Sequence, residues 1–169
     1  MIAAVAENNV IGNKTTIPWN FPPYKMAADF KYFKETTLGK TIVMGLNTFK
    51  SIGEKPLPNR KHIILCDKPD YKVPESCVLA KSLEEAIELI RHEEKQGNEV
   101  FICGGAFVYK QFLPLADKLY LTYVHTSPEG DTFFPEVDMN VWKEASRENH
   151  KADDKNSFNY SFVILEKKL

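Results

Sequence analysis

The chain has 169 residues, 43% of them hydrophobic and 27% charged, with a formal net charge of -1 from 22 basic and 23 acidic side chains. That composition is globular and excludes a disordered tail, a collagen-like fibre and a bare coiled coil. The absence of a basic excess argues against a nucleic-acid backbone as partner. Length sets the expectation of a single domain over residues 1–169, able to bury roughly two-thirds of its unfolded surface without staples. Cys66, Cys77 and Cys103 are an odd set with no metal-ligand or bridging spacing, which reads as free thiols in a reducing cytosol. The first apolar run is too short for a signal segment, and no stretch is long and apolar enough to span a membrane. A cytoplasmic protein is expected.

In chain order, residues 2–6 read as a buried strand that ends in the turn-like Glu7-Asn8-Asn9. Pro18, Pro22 and Pro23 surround Trp19 in an irregular stretch, after which helical periodicity covers residues 27–37. Residues 41–44 form a second strand closed by Gly45, followed by a loop holding Pro56 and Pro58. Residues 62–65, 77–80 and 100–103 are further apolar runs, continuous rather than alternating, as in strands covered on both faces. Ser82-Leu83-Glu84-Glu85 is a capping box opening a helix that Gly97 ends. Residues 106–113 are helical, and the β-rich segments 118–125 and 157–166, with no clear helix between them, suggest an antiparallel edge pair. Together these elements predict an α/β fold around a mostly parallel sheet, with its loops bearing the function.

Few residues stand out for chemistry. Gly104-Gly105 joins a buried strand to a helix, where backbone N–H groups can meet a phosphate, or where a tight turn needs a positive φ. Asp29 shares a helix face with Tyr32, Phe33 and Thr36; burial there would raise its pKa, although an N-cap role for a helix starting at Phe30 is the simpler account of the residue taken alone. His62, His92, His125 and His150 have no ligand spacing and read as packing or surface residues. Ser51 and Ser82 lack a nucleophile elbow. Arg60 is either a turn residue or a carboxylate clamp.

Taken in order, Asn9-Val10-Ile11-Gly12 with Ile17-Pro18-Trp19, Asp29-Phe30-Lys31-Tyr32-Phe33-Lys34, and Ile42-Val43-Met44-Gly45 are followed by Thr48-Phe49-Lys50-Ser51-Ile52-Gly53 and Pro56-Leu57-Pro58-Asn59-Arg60. Ile102-Cys103-Gly104-Gly105, Leu119-Tyr120-Leu121-Thr122 and Glu129-Gly130-Asp131-Thr132 complete the series. Over nearly its whole length the chain resembles the dihydrofolate reductases. The resemblance implies a central eight-stranded, mostly parallel sheet with an antiparallel C-terminal strand, flanked by helices. It implies hydride transfer from NADPH to C6 of 7,8-dihydrofolate with protonation of N5, in a cytoplasmic monomer that feeds one-carbon metabolism and is open to antifolate inhibitors.

Residue by residue, the resemblance makes Asp29 the pterin carboxylate, steadied by Thr122. A water near Ile17 and Trp19 would give the proton, and Tyr109 would lie near the nicotinamide. Substrate would meet Ile2, Ala4, Phe30, Phe33, Ser51, Ile52, Leu57 and Cys103, with Arg60 on the glutamyl α-carboxylate. The cofactor would pass Ala4, Ile11, Gly12 and Ile17, then Gly45, Leu46, Asn47 and Thr48. Further contacts would come from Leu65, Cys66, Lys81 and Cys103, and then from Gly104, Gly105, Ala106, Phe107, Val108, Tyr109 and Gln111. No metal is implied.

The chain departs from the family pattern at three places. Residues 23–27 are extra relative to common bacterial members and directly precede Ala28-Asp29. Cys103 stands where an aliphatic residue is usual. The arginine expected to hold the cofactor's 2′-phosphate is replaced by Leu46, and Cys66-Asp67 follows the next strand, so relaxed use of NADH is expected unless Lys68 or Lys81 compensates. A reductase of another pterin or pyrimidine, and a silent folate- or nucleotide-binding module, are the alternatives; Arg60 argues against the first and the joint presence of Trp19, Asp29, Thr122 and Gly104-Gly105 against the second.

Overall fold

The apolar runs form strands as their sequence predicts, and the computed structural model describes residues 1–169. In chain order the elements are β1 (Ile2–Ala6), β2 (Val10–Gly12), α1 (Ala27–Thr37), β3 (Thr41–Gly45), α2 (Leu46–Ser51), β4 (Lys61–Leu65), β5 (Cys77–Ala80) and α3 (Leu83–Lys95). They continue with β6 (Val100–Ile102), α4 (Ala106–Phe112), β7 (Lys118–Val124), β8 (Thr132–Phe133), β9 (Trp142–His150) and β10 (Tyr160–Lys167). Short 3-10 turns lie at Pro18–Asn20 and Leu113–Leu115.

Eight of these strands make the central β layer, hydrogen-bonded as two four-stranded sections in the orders β5-β4-β3-β6 and β1-β7-β10-β9. The first section is wholly parallel, and β1 is parallel to β7. Strand β10 runs antiparallel to both of its neighbours. One apolar cluster, including Val43, Ile63, Leu121 and Val163, spans both sections. Ile42, Met44 and Ile64, the alternate residues of β3 and β4, pack with Phe49 and Phe101 in a second cluster. Successive side chains of a strand point to opposite faces, so both sides of β3 and β4 are covered and their sequences read as unbroken apolar runs.

The C-terminal third differs from the sequence reading. Residues 157–166 were expected to pair at the edge, but β10 is interior, between β7 and β9. The edge strand is β9, whose sequence Trp-Lys-Glu-Ala-Ser-Arg-Glu-Asn-His buries only Trp142. Charge on an outer strand discourages pairing with another chain, and it removes the apolar pattern by which a strand is recognised.

Two local devices shape the loops. His62, fully buried, accepts from the Leu57 N–H through Nε2 at 3.0 Å, while its Nδ1 lies 3.1 Å from the Arg60 carbonyl. Nδ1 therefore carries the proton, and burial holds the ring below the ordinary histidine pKa. The packing role expected of His62 is borne out, and it pins the loop that presents Leu57 and Arg60. At α3, Ser82 Oγ accepts from Glu85 N–H at 3.1 Å, while the Glu85 carboxylate takes the Lys81 N–H at 2.7 Å in place of the N-cap residue's own.

Candidate active site

The candidate site lies where α1, β7 and the loop after β2 converge. Helix α1 begins at Ala27 with Met26 as N-cap residue and no side-chain cap of its own, so Asp29 sits inside the first turn. The simple N-cap reading of Asp29 is thereby corrected. Tyr32 stacks on Phe162 of β10 at 4.2 Å, which fixes the rotation of α1 against the sheet. Asp29 retains some accessible surface, yet the protein around it desolvates the carboxylate and raises its pKa from 3.8 to about 6. The hydroxyl of Thr122, itself 1% exposed, acts in the opposite direction.

Around this carboxylate the walls are apolar. Phe33, Ile52, Leu57 and Cys103 pack together against the cluster of Ile42, Phe49 and Phe101. Ala4, opposite Thr122 in the β1–β7 register, packs with Trp19 and Met26. Phe30 and Ile17 are exposed at the mouth. Trp19 is buried and its indole N–H has no partner in the protein, a donor free to hold a ligand or water. Both polar atoms of the neighbouring Asn20 side chain are likewise buried without partners; the sequence reading did not single out Asn20, and only its place after Trp19 could have suggested it.

Strand β3 ends at Gly45, and its parallel neighbour β6 is followed after Cys103 by Gly104-Gly105. Gly45 N–H donates to the Gly104 carbonyl at 2.8 Å, and a cis peptide joins Gly104 to Gly105. Gly104 has φ +112, and a Cβ there would lie 3.3 Å from the Tyr109 ring. A Cβ on Gly45 would come 3.1 Å from Val108, and one on Gly105 would come 3.3 Å from Thr48 Oγ1. Helices α2 and α4 start at Leu46 and Ala106 without side-chain caps, which leaves a backbone cradle suited to a phosphate. The positive-φ and phosphate readings of Gly104-Gly105 are therefore compatible.

A family profile described as dihydrofolate reductase matches residues 1–167. The chain belongs to the dihydrofolate reductase family. It is 44% identical over 165 residues to "Dihydrofolate reductase type 3" of Salmonella typhimurium, covering 98% of this chain and 95% of that protein. It is 40% identical over 167 residues to the Bacillus subtilis dihydrofolate reductase, covering 99% and 93% of the two chains. Among solved structures, Enterococcus faecalis dihydrofolate reductase complexed with NADP(H) and RAB-propyl superposes with a TM-score of 0.85 at 36% identity, covering 99% of this chain and 95% of that one.

Within this reductase fold the other expected residues are placed as follows. Arg60 is held by two bonds, Nε to the Pro58 carbonyl at 3.0 Å and Nη1 to Thr37 Oγ1 at 3.2 Å. A guanidinium has five N–H donors, so others remain for a ligand. Tyr109 donates to the Ile2 carbonyl at 2.7 Å and burial lifts its phenol well above 10, which makes it a strut between the two sheet sections rather than a proton source. Ser51 spends its hydroxyl on the Thr48 carbonyl at 2.6 Å. Burial pushes the Cys103 thiol up to about 12, so it is a small wall and not a nucleophile.

Of the residues expected to meet the cofactor, Ile11 packs on the main core beside the half-buried Gly12, and Leu65 ends β4. Asn47 lies in the first turn of α2, and Gln111 in α4 is half-buried. Phe107 is 68% exposed. Cys66 is buried, whereas Asp67, Lys68 and Lys81 are exposed.

Proposed function

We infer that this reductase transfers hydride from NADPH to C6 of 7,8-dihydrofolate and delivers a proton to N5. The observation that carries the reading is the single desolvated carboxylate, Asp29 with Thr122, which acts on Tyr109, the residue whose ring lies against Gly104. NADPH supplies the hydride, and the protein's part is to align two flat rings and raise the electrophilicity of the C6–N5 imine. The Asp29 oxygens accept from the pterin N3–H and 2-amino group. Phe30, Phe33 and Ile52 flank the ring system, with Ile2 and Ala4 at its inner edge. A carboxylate engaged at that end cannot reach N5, so the proton passes through a water beside Ile17 and the free indole N–H of Trp19. Antifolates that carry an amidine-like edge would engage the same carboxylate.

Gly45, Asn47, Thr48, Gly104, Gly105 and the start of α4 fit the cofactor's backbone. The adenosine 2′-phosphate has no arginine at Leu46, and Asp67 adds an unfavourable charge, leaving Lys68 and Lys81 as the available cations. The experiment is the initial rate of dihydrofolate-dependent NADPH oxidation, beside the same reaction with NADH. Reduction with both cofactors is expected, with kcat/KM favouring NADPH by less than about a hundredfold, equivalent to about 2.7 kcal/mol. A larger ratio would show that lysines replace the arginine fully. No reduction with either cofactor would return the chain to the other-pterin or silent-binder reading.

Arg60 discriminates these readings further. Arg60→Leu is expected to raise the KM for dihydrofolate by about ten- to a hundredfold, as befits loss of a charge-assisted carboxylate pair, with little change in kcat. A pterin substrate without a glutamate tail should not feel the substitution. An unchanged dihydrofolate KM would remove the clamp from the mechanism.

A further inference from the structure

The insertion at residues 23–27 is strapped to a distant turn. Lys25 N–H donates to Ser157 Oγ at 2.9 Å, and Ser157 N–H donates back to the Lys25 carbonyl at 2.8 Å. Ala27 N–H donates to the Lys155 carbonyl at 3.1 Å, and Met26, 1% exposed, forms an isolated bridge with Asn156. The Tyr24 and Phe158 rings close the outer side at 5.1 Å.

Inside this strap lies a cap made from outside the helix. The first turn of a helix leaves backbone N–H groups without partners, and a side-chain oxygen on the second or third of them stabilises it. Met26 offers none. Asn156 Oδ1, 128 positions away in sequence, accepts from the Ala28 N–H at 2.8 Å. Its Nδ2 donates to Asp153 Oδ1 at 2.9 Å, and the residue is 5% exposed. Both ends of the amide are thus assigned, and neither can turn without losing a bond.

We propose that Asn156, oriented by Asp153, is a positioning residue for the reaction: it caps α1 from across the molecule and so sets where the Asp29 carboxylate meets the substrate. The proposal rests on the reading of Asp29 as the pterin ligand. Asp29 follows Ala28 directly, in the same first turn, so a frayed turn displaces the carboxylate while leaving the glycine cradle untouched. Burial and the Thr122 hydroxyl of β7 set the ionisation of Asp29; Tyr109 of α4 is the other titratable group coupled to it, and Asp153, Lys155 and Lys25 are the charges of the strap.

The test compares full-chain wild type, Asn156→Ala, Asp153→Asn and the exchange Asn156→Asp with Asp153→Asn. Readouts are kcat and KM for dihydrofolate, Kd for NADPH, thermal midpoint, and the pH profile of kcat/KM. Asn156→Ala is expected to lose about tenfold in kcat/KM, the size of one helix cap, with the NADPH Kd unchanged. Asp153→Asn, which keeps the buried amide, should show a smaller loss of the same kind and serves alone if the alanine variant does not fold. The exchange restores an acceptor for Ala28 N–H and should recover most of the rate. It also places a negative charge beside Asp29, moving the pH midpoint up by about half a unit. A lowered thermal midpoint with kcat/KM within about twofold of wild type and an unmoved pH midpoint would overturn the proposal, as would a folded exchange variant that recovers nothing. A wild-type protein that turns over no dihydrofolate would overturn the reading of Asp29 itself, and the proposal with it.

Discussion

Asp29→Asn should give a more stable protein and a far poorer enzyme. Burial raises the folded-state pKa of Asp29 from 3.8 to about 6, so the native protein binds this proton more tightly than the unfolded chain does. Its contribution to stability is fully present below the unfolded value and is lost as pH rises through about 6, leaving a desolvated charge at neutral pH. An amide carries no such charge. At pH 8 the variant is expected to gain about 1–3 kcal/mol in chemical denaturation, the upper figure corresponding to a two-unit shift and the lower allowing for residual solvent contact. Near pH 4 the gain should vanish. In turnover the same change removes the carboxylate proposed to accept from the pterin edge, and a loss of about a hundredfold to ten-thousandfold in kcat/KM is expected. The inflection near pH 6 in the wild-type profile should be absent from the variant. Equal stability of the two proteins across pH would show that the carboxylate is not held in a desolvated site.

The legibility of this fold follows from where water is excluded. Strands β3, β4 and β6 are covered on both faces, so their sequences announce them without ambiguity. Helix α1 was legible from its periodicity, and its bounds, Ala27–Thr37, match the sequence reading. Strand β9 was hidden because its stability comes from backbone pairing with β10, which leaves no apolar signature along it. The site divides the same way. Asp29, Arg60 and Gly104-Gly105 were visible as residue types at loop and helix junctions. Whether Asp29 caps a helix or is desolvated in a cleft depends on what covers α1, and sequence spacing does not contain that. Asn156 was hidden for a different reason: its bond to Ala28 spans 128 positions, and its own neighbourhood, Asp153-Asp154-Lys155-Asn156-Ser157, reads as an ordinary polar turn.

Gly130→Ala should damage both stability and turnover, although residue 130 lies outside the cleft proper. A Cβ at this position would fall 2.3 Å from Val10 Cγ1 and 2.7 Å from the Gly12 carbonyl oxygen. The Val10 side chain has little room to yield, since the residue is 1% exposed and packs beside Trp19. The Gly12 oxygen is backbone and already accepts from the Asp131 N–H at 3.2 Å. Relief therefore requires the β2–β8 pair to separate. Asp131, the next residue, receives the Lys14 N–H on its two carboxylate oxygens at 3.1 and 3.0 Å, and this clasp holds the loop that carries Ile17 and Trp19. Overpacking of this kind costs about 1–3 kcal/mol. A misplacement of about 1 Å transmitted to a reacting geometry is worth up to about a hundredfold in rate. The alanine variant is expected to show a lowered thermal midpoint and a fall in kcat of about tenfold or more, in the range that such displacement allows. Asp131→Asn provides the control, because it keeps an acceptor for Lys14 N–H and adds no atom at the crowded position; it should lose much less. If the two variants lose rate equally, the Lys14–Asp131 clasp and not the close approach at Gly130 governs the loop, and the steric argument falls.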